Sequence, residues 1–289
     1  MIYDRMPDLL IRGMKNEDLT FAAECTAAEG WVSENRDSLE GFFENDPAGC
    51  LIAEDQGQPV GICVATFYGK SGFIGELIVR PEVRGRGAGA ELLNRGVQLL
   101  LARGVSTVYL DGVVRAVELY ERNRFQKVCR SWRFFGHLVG KPSSKVRRMA
   151  LGDLDQVFKL DRLSFGEDRS FFLRRRLEIF PELCFILEDR ERITGFLFGR
   201  SGADWVSAGP WVMHEDAQNS IELLYAIAFE AGDRPISLGI LDSNQNACGL
   251  VRSLGFLERV DSPWRMALGR CADLGASPRC FAVGSAAKG

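Results

Sequence analysis

The chain is predicted to be a mixed α/β protein made of two tandem copies of one domain, each a mixed central sheet flanked by helices. Three observations predict this. At 289 residues the chain exceeds a typical single core and favours two. Strand-like runs alternate with amphipathic helical runs, as in a layered sheet. The chain also repeats itself. CLIAEDQGQPVGICVATF (residues 50–67) lies over CFILEDRERITGFLFGRS (184–201) without a gap. At nearly the same offset Leu110-Asp111 lies over Leu241-Asp242, Leu119 over Leu250, Phe125 over Phe256 and Trp132 over Trp264. The expected division is 1–140 and 141–289, with the turn-forming Lys-Pro-Ser-Ser at 141–144 opening the second copy.

In the first copy a strand is expected over 9–14, helices near 18–29 and 37–45, and a hairpin over 51–67 turning at Gln56-Gly57. A strand over 73–79 follows, closed by Pro81, then a long amphipathic helix over 87–103. A strand over 107–113, a short helix over 115–122 and a closing strand around 127–135 complete the unit. The second copy repeats this order: helices up to 180, a hairpin, a strand over 205–212, a helix over 217–231, a strand over 236–241 and a helix over 247–254. Residues 281–284 supply a last strand whose partner the sequence does not indicate.

Composition narrows the function. Hydrophobic residues make up 46% and charged residues 26%, an ordinary globular balance. No apolar run approaches the roughly 20 residues that span a bilayer, and residues 1–8 carry acids rather than the apolar centre of a signal peptide, so a cytoplasmic protein is expected. A net charge of -3 argues against a nucleic-acid surface. The basic clusters at 141–148 and 174–176 read as a solvated linker and as a helix with Arg175 facing solvent. Eight cysteines form no C-x-x-C pair and the chain has two histidines, so no metal site is expected and the cysteines read as reduced, buried small hydrophobes.

The stretch LIVRPEVRGRGAGAELLNRGVQLLL (77–101) runs from an apolar strand through a glycine-rich turn into a helix. Glycines at 85, 87 and 89 let bare backbone N–H groups approach an anion, and the helix adds its free amides and positive dipole end. Arg84 and Arg86 place charge at the rim. A P-loop would need Gly-Lys-Ser/Thr, absent here, and a Rossmann turn normally follows the first strand of its unit.

The order strand, V-x-P-x-x-R-G-x-G-x-G/A, helix, strand, A-x-x-L-Y-x-x-x-x-F resembles the GNAT superfamily of N-acetyltransferases. The residues concerned are Val79, Pro81, Arg84, Gly85, Gly87, Gly89, Ala90, Ala116, Leu119, Tyr120 and Phe125. The resemblance implies that Arg84, Gly85, Arg86, Gly87, Ala88, Gly89 and Ala90 hold the pyrophosphate of acetyl-CoA as cosubstrate. It implies that backbone groups near Ile78 and Val79, where the fourth strand splays from the fifth, hold the pantetheine arm. Tyr120 is the general acid it implies for the departing thiolate; the alternative is a tyrosine that packs its ring and bonds a carbonyl. Glu76, on the strand face of Ile78, is the candidate base, against a glutamate satisfied in an ion pair. Asp111 orients the strand end or caps a helix.

The acceptor pocket is expected from the first two helices and their connection, which carry Glu24, Glu29, Trp31 and Glu34, a lining suited to a cationic amine. Trp31 reads first as a core residue, ahead of an acceptor contact. In the second copy GPWVMHEDAQNS replaces VRPEVRGRGAGA, and Val251 stands where Tyr120 does, so that copy is expected to keep the fold without the phosphate turn. Asp242, Ser243 and Asn244 remain as a potential polar lining. The expected partners are acetyl-CoA and an amine acceptor, with no nucleic acid or membrane, in a monomer or weak dimer. The competing expectation is a non-catalytic acyl-CoA sensor.

Overall fold

The computed structural model describes residues 8–31, 35–190, 192–202, 204–216, 218–270 and 274–289. The first copy opens with β1 (Leu9–Gly13), followed by α1 (Leu19–Ala28) and α2 (Arg36–Asn45). Asn35 caps α2 by accepting from the Ser38 amide at 3.2 Å. Strands β2 (Cys50–Asp55) and β3 (Gln58–Phe67) form the predicted hairpin. Its turn residues Gln56 and Gly57 have φ of 51° and 75°, the left-handed pair that matches strand twist. β4 (Ser71–Val79) leads into α3 (Ala88–Ala102), and β5 (Thr107–Gly112) is followed by α4 (Val117–Arg122) and β6 (Gln126–Gly136).

α3 lies on β3 and β4, burying Leu92, Leu93, Val97 and Leu100. Each such side chain stabilises the fold by roughly 1.5–3 kcal/mol. Gly96 permits the close approach, since a Cβ there would lie 2.9 Å from Ile74 Cδ1. On the opposite face Leu19, Phe21, Ala22, Leu39 and Phe42 of α1 and α2 bury Ile52, Ile62, Val64 and Ile78.

The second copy begins with the short β7 (Val146–Arg148), then α5 (Leu154–Phe165), α6 (Ser170–Ile179), β8 (Cys184–Asp189) and β9 (Arg192–Ser201). The repeat is visible in detail: the hairpin ladders of both copies shift register at matching positions, Ala53/Glu54 and Leu187/Glu188. β10 (Val206–Met213), α7 (Ile221–Ala231), β11 (Ile236–Leu241), α8 (Gln245–Ser253), β12 (Leu257–Glu258), β13 (Trp264–Gly269) and β14 (Cys280–Ala282) complete the chain.

The copies exchange their closing strands. β13, from the second copy, pairs with β5 of the first, while β6, from the first, pairs with β11 of the second, and β6 and β13 pair with each other. The strand order β1-β2-β3-β4-β5-β13-β6-β11-β10-β9-β8-β7 is therefore one continuous sheet, and the chain does not close one sheet at residue 140 before starting the next. The physical reason lies in the repeat: Trp132 and Trp264 occupy equivalent closing strands, so the edge of β5 can accept either.

A buried polar cluster fixes this crossing. Asp111 of β5 accepts from Arg265 Nε of β13, from Arg133 Nη2 of β6 at 3.0 Å and from Ser131 Oγ at 2.8 Å. Burial alone would raise the Asp111 pKa, but the guanidinium groups of Arg265 and Arg133 hold it below its ordinary value. Asp111 thus bonds two arginines rather than capping a helix. Arg175, expected in solvent, instead reaches from α6 to Glu44 and to the Asp37 carbonyl on α2, tying the copies together a second time. All seven described cysteines are free, and Cys129 alone among them is not buried. No helix among the described residues is long and apolar enough to cross a membrane.

Candidate active site

β4 pairs in parallel with β5 only over Ser71–Ile74 against Thr107–Leu110. Beyond Ile74 the two strands part, and residues 75–79 of β4 face an opening. On its other side β4 stays paired with β3, but the register slips between Ile62 and Val64, because Glu76 and Leu77 together oppose Cys63. At this bulge Glu76 has a φ of 48°, a backbone region that a glutamate adopts only when the surroundings impose it. Its side chain is buried, with 3% of the residue exposed.

The glycine-rich turn closes one end of the opening. Gly85 and Gly87 have φ of 79° and 97°, which an L side chain would strain, and a Cβ at either would meet nothing within 4 Å. Both glycines are therefore required by the backbone path rather than by crowding. Gly87 is the N-cap residue of α3 and no side chain caps that helix, so its first amides, at Ala88, Gly89 and Ala90, are left for a ligand. A Cβ on Gly89 would lie 3.6 Å from Val79 Cγ2, an ordinary contact, so the helix end sits close to β4.

Arg84 folds back, donating from Nε to the Val79 carbonyl at 2.8 Å and pairing through Nη2 with Glu29. Arg115 pairs with the other oxygen of Glu29. Glu29, expected to face the acceptor, therefore sits beside the phosphate turn, where two arginines hold it, and its side chain is 8% exposed. Arg86 lies 3.9 Å from Asp55. Trp31 packs, half buried, against the cluster of α1, α2 and Ile78. Glu34 lies outside the described residues. Glu24 faces Arg80 at 3.9 Å.

Tyr120, on α4, is buried beneath the end of β5. Gly112 makes its seat: a Cβ there would lie 2.8 Å from the Tyr120 ring. Phe125 meets the ring edge-on at a centroid distance of 6.2 Å. Its hydroxyl makes no hydrogen bond to the described residues. Burial, and secondarily Cys63, pushes the phenol above its ordinary value of 10.0. It stays protonated at neutral pH and can donate.

The equivalent opening of the second copy is filled. β10 pairs with β11 over Val206–Ala208, and beyond that point β14 lies against β10 at Trp211 and Val212. The Val283 amide donates to the Gly239 carbonyl of β11 at 2.8 Å, so the segment spans the gap between the two strands. Asn244 pins it, donating to the carbonyls of Pro278 and Cys280 at 2.9 and 3.0 Å while its Oδ1 caps α8 at the Ala247 amide. Asn244 is thus spent on structure rather than on a polar pocket. His214, Glu215 and Asp216 stand where the first copy has its glycine turn, with Glu215 paired to Arg279 at 2.6 Å.

Sequence reasoning singled out the turn, Glu76 and Tyr120, which lie at the start of α3, on the bulge of β4 and against Gly112 at the end of β5. It missed Tyr68, Arg169 and the segment 284–289, which lie on the same side of β4 as α2. Tyr68 donates to the Lys288 carbonyl at 2.7 Å and Arg169 to the Gly289 carbonyl at 2.9 Å. Their one sequence signal is burial-prone aromatic and small residues, which fits any core.

Both copies are similar to known proteins. Residues 16–125 match the model of the "Acetyltransferase (GNAT) family", and residues 157–274 match that of the "Acetyltransferase (GNAT) domain". The thialysine N-epsilon-acetyltransferases of Sus scrofa and Bos taurus are each 30% identical over 106 residues, covering 31% of this chain and 62% of theirs. The match thus spans less than two thirds of those enzymes. Among solved structures, a candidate acetyltransferase from Pyrococcus horikoshii superposes with a TM-score of 0.82 at 24% identity, over 98% of this chain and 96% of that one. A tandem GNAT protein from the clavulanic acid biosynthesis pathway superposes with a TM-score of 0.62 at 11% identity, over 92% of this chain and all of that one. These two likenesses are of fold.

Proposed function

The chain belongs to the GNAT acetyltransferase family as two tandem domains, and we propose that the first is an acetyl-CoA-dependent N-acetyltransferase acting on an amine while the second has no catalytic site. The observation that carries this reading is the uncapped start of α3 behind Gly87, beside the stretch of β4 beyond Ile74 that no longer pairs with β5. The amides of residues 88–90, with Arg84 and Arg86, bind the pyrophosphate. That binding draws Arg84 away from Glu29, since phosphate and carboxylate compete for one guanidinium. Backbone groups near Ile78 and Val79 hold the pantetheine arm and donate to the oxyanion that develops as the amine attacks the thioester. One such donor typically contributes about 2.7–4 kcal/mol. Glu76 takes the proton of the incoming ammonium, directly or through water, and Tyr120 delivers one to the departing thiolate. Trp31 walls the acceptor side, and Glu29 acts from the phosphate side. Residues 1–140 carry the chemistry and 141–289 the support.

The test is direct. Incubation with acetyl-CoA and a panel of primary amines should release free thiol, and tight acetyl-CoA binding without release on any amine up to high pH would refute the enzyme in favour of a sensor. Gly87→Val, which places a β-branched residue at a φ of 97°, should abolish acetyl-CoA binding measured by calorimetry. Glu215→Val should leave that binding intact.

A further inference from the structure

After spanning the second copy's gap, the chain runs on across the first. Residues 284–289 read Gly-Ser-Ala-Ala-Lys-Gly, with one long side chain among them. The segment crosses β4 beside the bulge: a Cβ on Gly75, the residue before Glu76, would lie 2.3 Å from the Ala287 carbonyl oxygen, so only glycine admits this contact. Ala287 is buried with Ile78 and the residues of α1 and α2. The next residue, Lys288, is 8% exposed. Its ammonium lies 4.3 Å from the centre of the Phe42 ring, on α2, and 5.3 Å from that of Phe172, on α6. Tyr68 and Arg169 hold the carbonyls of Lys288 and Gly289, and Arg169 is itself fixed by Asp161 at 2.8 Å.

Taking an ammonium out of water is costly unless its surroundings offset the loss. Two aromatic faces contribute to that offset for a cation carried on a slim alkyl chain. The chain has therefore built, one residue along from the strand contact at Gly75, a slot with the shape and electrostatics of an amine site. A surface cavity of about 150 Å³ is lined by Tyr68, Arg169 and Phe172, three of the residues that contact Lys288 or Gly289.

We propose that this slot is the acceptor subsite of the first copy, built for a primary amine at the end of an unbranched alkyl chain such as a lysine side chain, and that residues 284–289 occupy it as an internal stand-in which the acceptor displaces. The proposal rests on the acetyltransferase reading above and names its substrate class. The second copy, through residues 284–289, controls access to the first.

The experiment uses the full-length protein with Nα-acetyl-lysine amide as the probe and cyclohexylamine as a branched control. Lys288→Ala should tighten probe binding, measured by calorimetry, and lower its KM. If the slot is vacated in about one molecule in ten, the gain is about tenfold. Acetyl-CoA affinity should not change, and cyclohexylamine should gain nothing. In the unmodified protein the probe should raise amide hydrogen exchange in 284–289. Lys288→Gln, which keeps chain length, should reproduce the direction of the effect if the alanine variant folds poorly. Probe binding and exchange that respond as expected, with no thiol release, would remove the acetyltransferase reading and keep the subsite. Turnover with unchanged KM and unchanged exchange would overturn the proposal and keep the enzyme. Weaker probe binding in both variants would also overturn it, making Lys288 a fixed wall of the site rather than its tenant.

Discussion

Asp111 shows how far a single side chain can be from its local reading. At the end of a strand it suggests a cap, yet it is the buried partner of Arg265 and Arg133 from both exchanged strands. Asp111→Ala leaves two guanidinium groups without their carboxylate and should cost about 3–5 kcal/mol in denaturant unfolding. The pH dependence follows in sign. The folded-state pKa is below the ordinary value, so this group's stabilisation is complete above about pH 4 and is lost as pH falls through the folded value. Asp111→Asn should flatten that part of the acid unfolding curve, followed by circular dichroism. Tyr120→Phe should lower kcat by about 10²- to 10⁴-fold with acetyl-CoA affinity unchanged. With its phenol raised, Tyr120 should not produce an alkaline limb in the rate profile below about pH 10. Glu76 was legible as a carboxylate on β4, but the bulge that sets it and Leu77 together opposite Cys63 breaks the strict alternation expected from Ile78, and it was not legible because an extra residue is defined only against the register of β3.

At the scale of elements the hairpins, α3, β5, α4 and α8 follow from sequence, since apolar period, glycine turns and proline stops are local signals. The exchange of β6 and β13 is not local. Strand pairing is a property of edges, and two similar copies present edges that either closing strand fits. The partner of β14 was equally hidden, since three residues carry no register of their own. Residues 1–140 produced alone would lack β13 against β5 and Arg265 against Asp111. That fragment should show no cooperative thermal transition, and co-expression with 141–289 should restore one, as read by calorimetry.

At the scale of the molecule, a sheet that runs unbroken through both copies makes them one folding unit, so the intact protein should unfold in a single calorimetric transition. The crossing arginines and the α2–α6 clamp through Arg175 act in the same sense. The strand that fills the second copy's gap also bears on how the chain could change over generations. Restoring glycines and an arginine at 213–220 would rebuild a phosphate turn in front of a channel still occupied by β14, which Asn244 secures. A second active centre would need β14 to be rerouted before any turn residue mattered. Point substitutions taken one at a time therefore gain nothing, and the duplication is locked into its asymmetry.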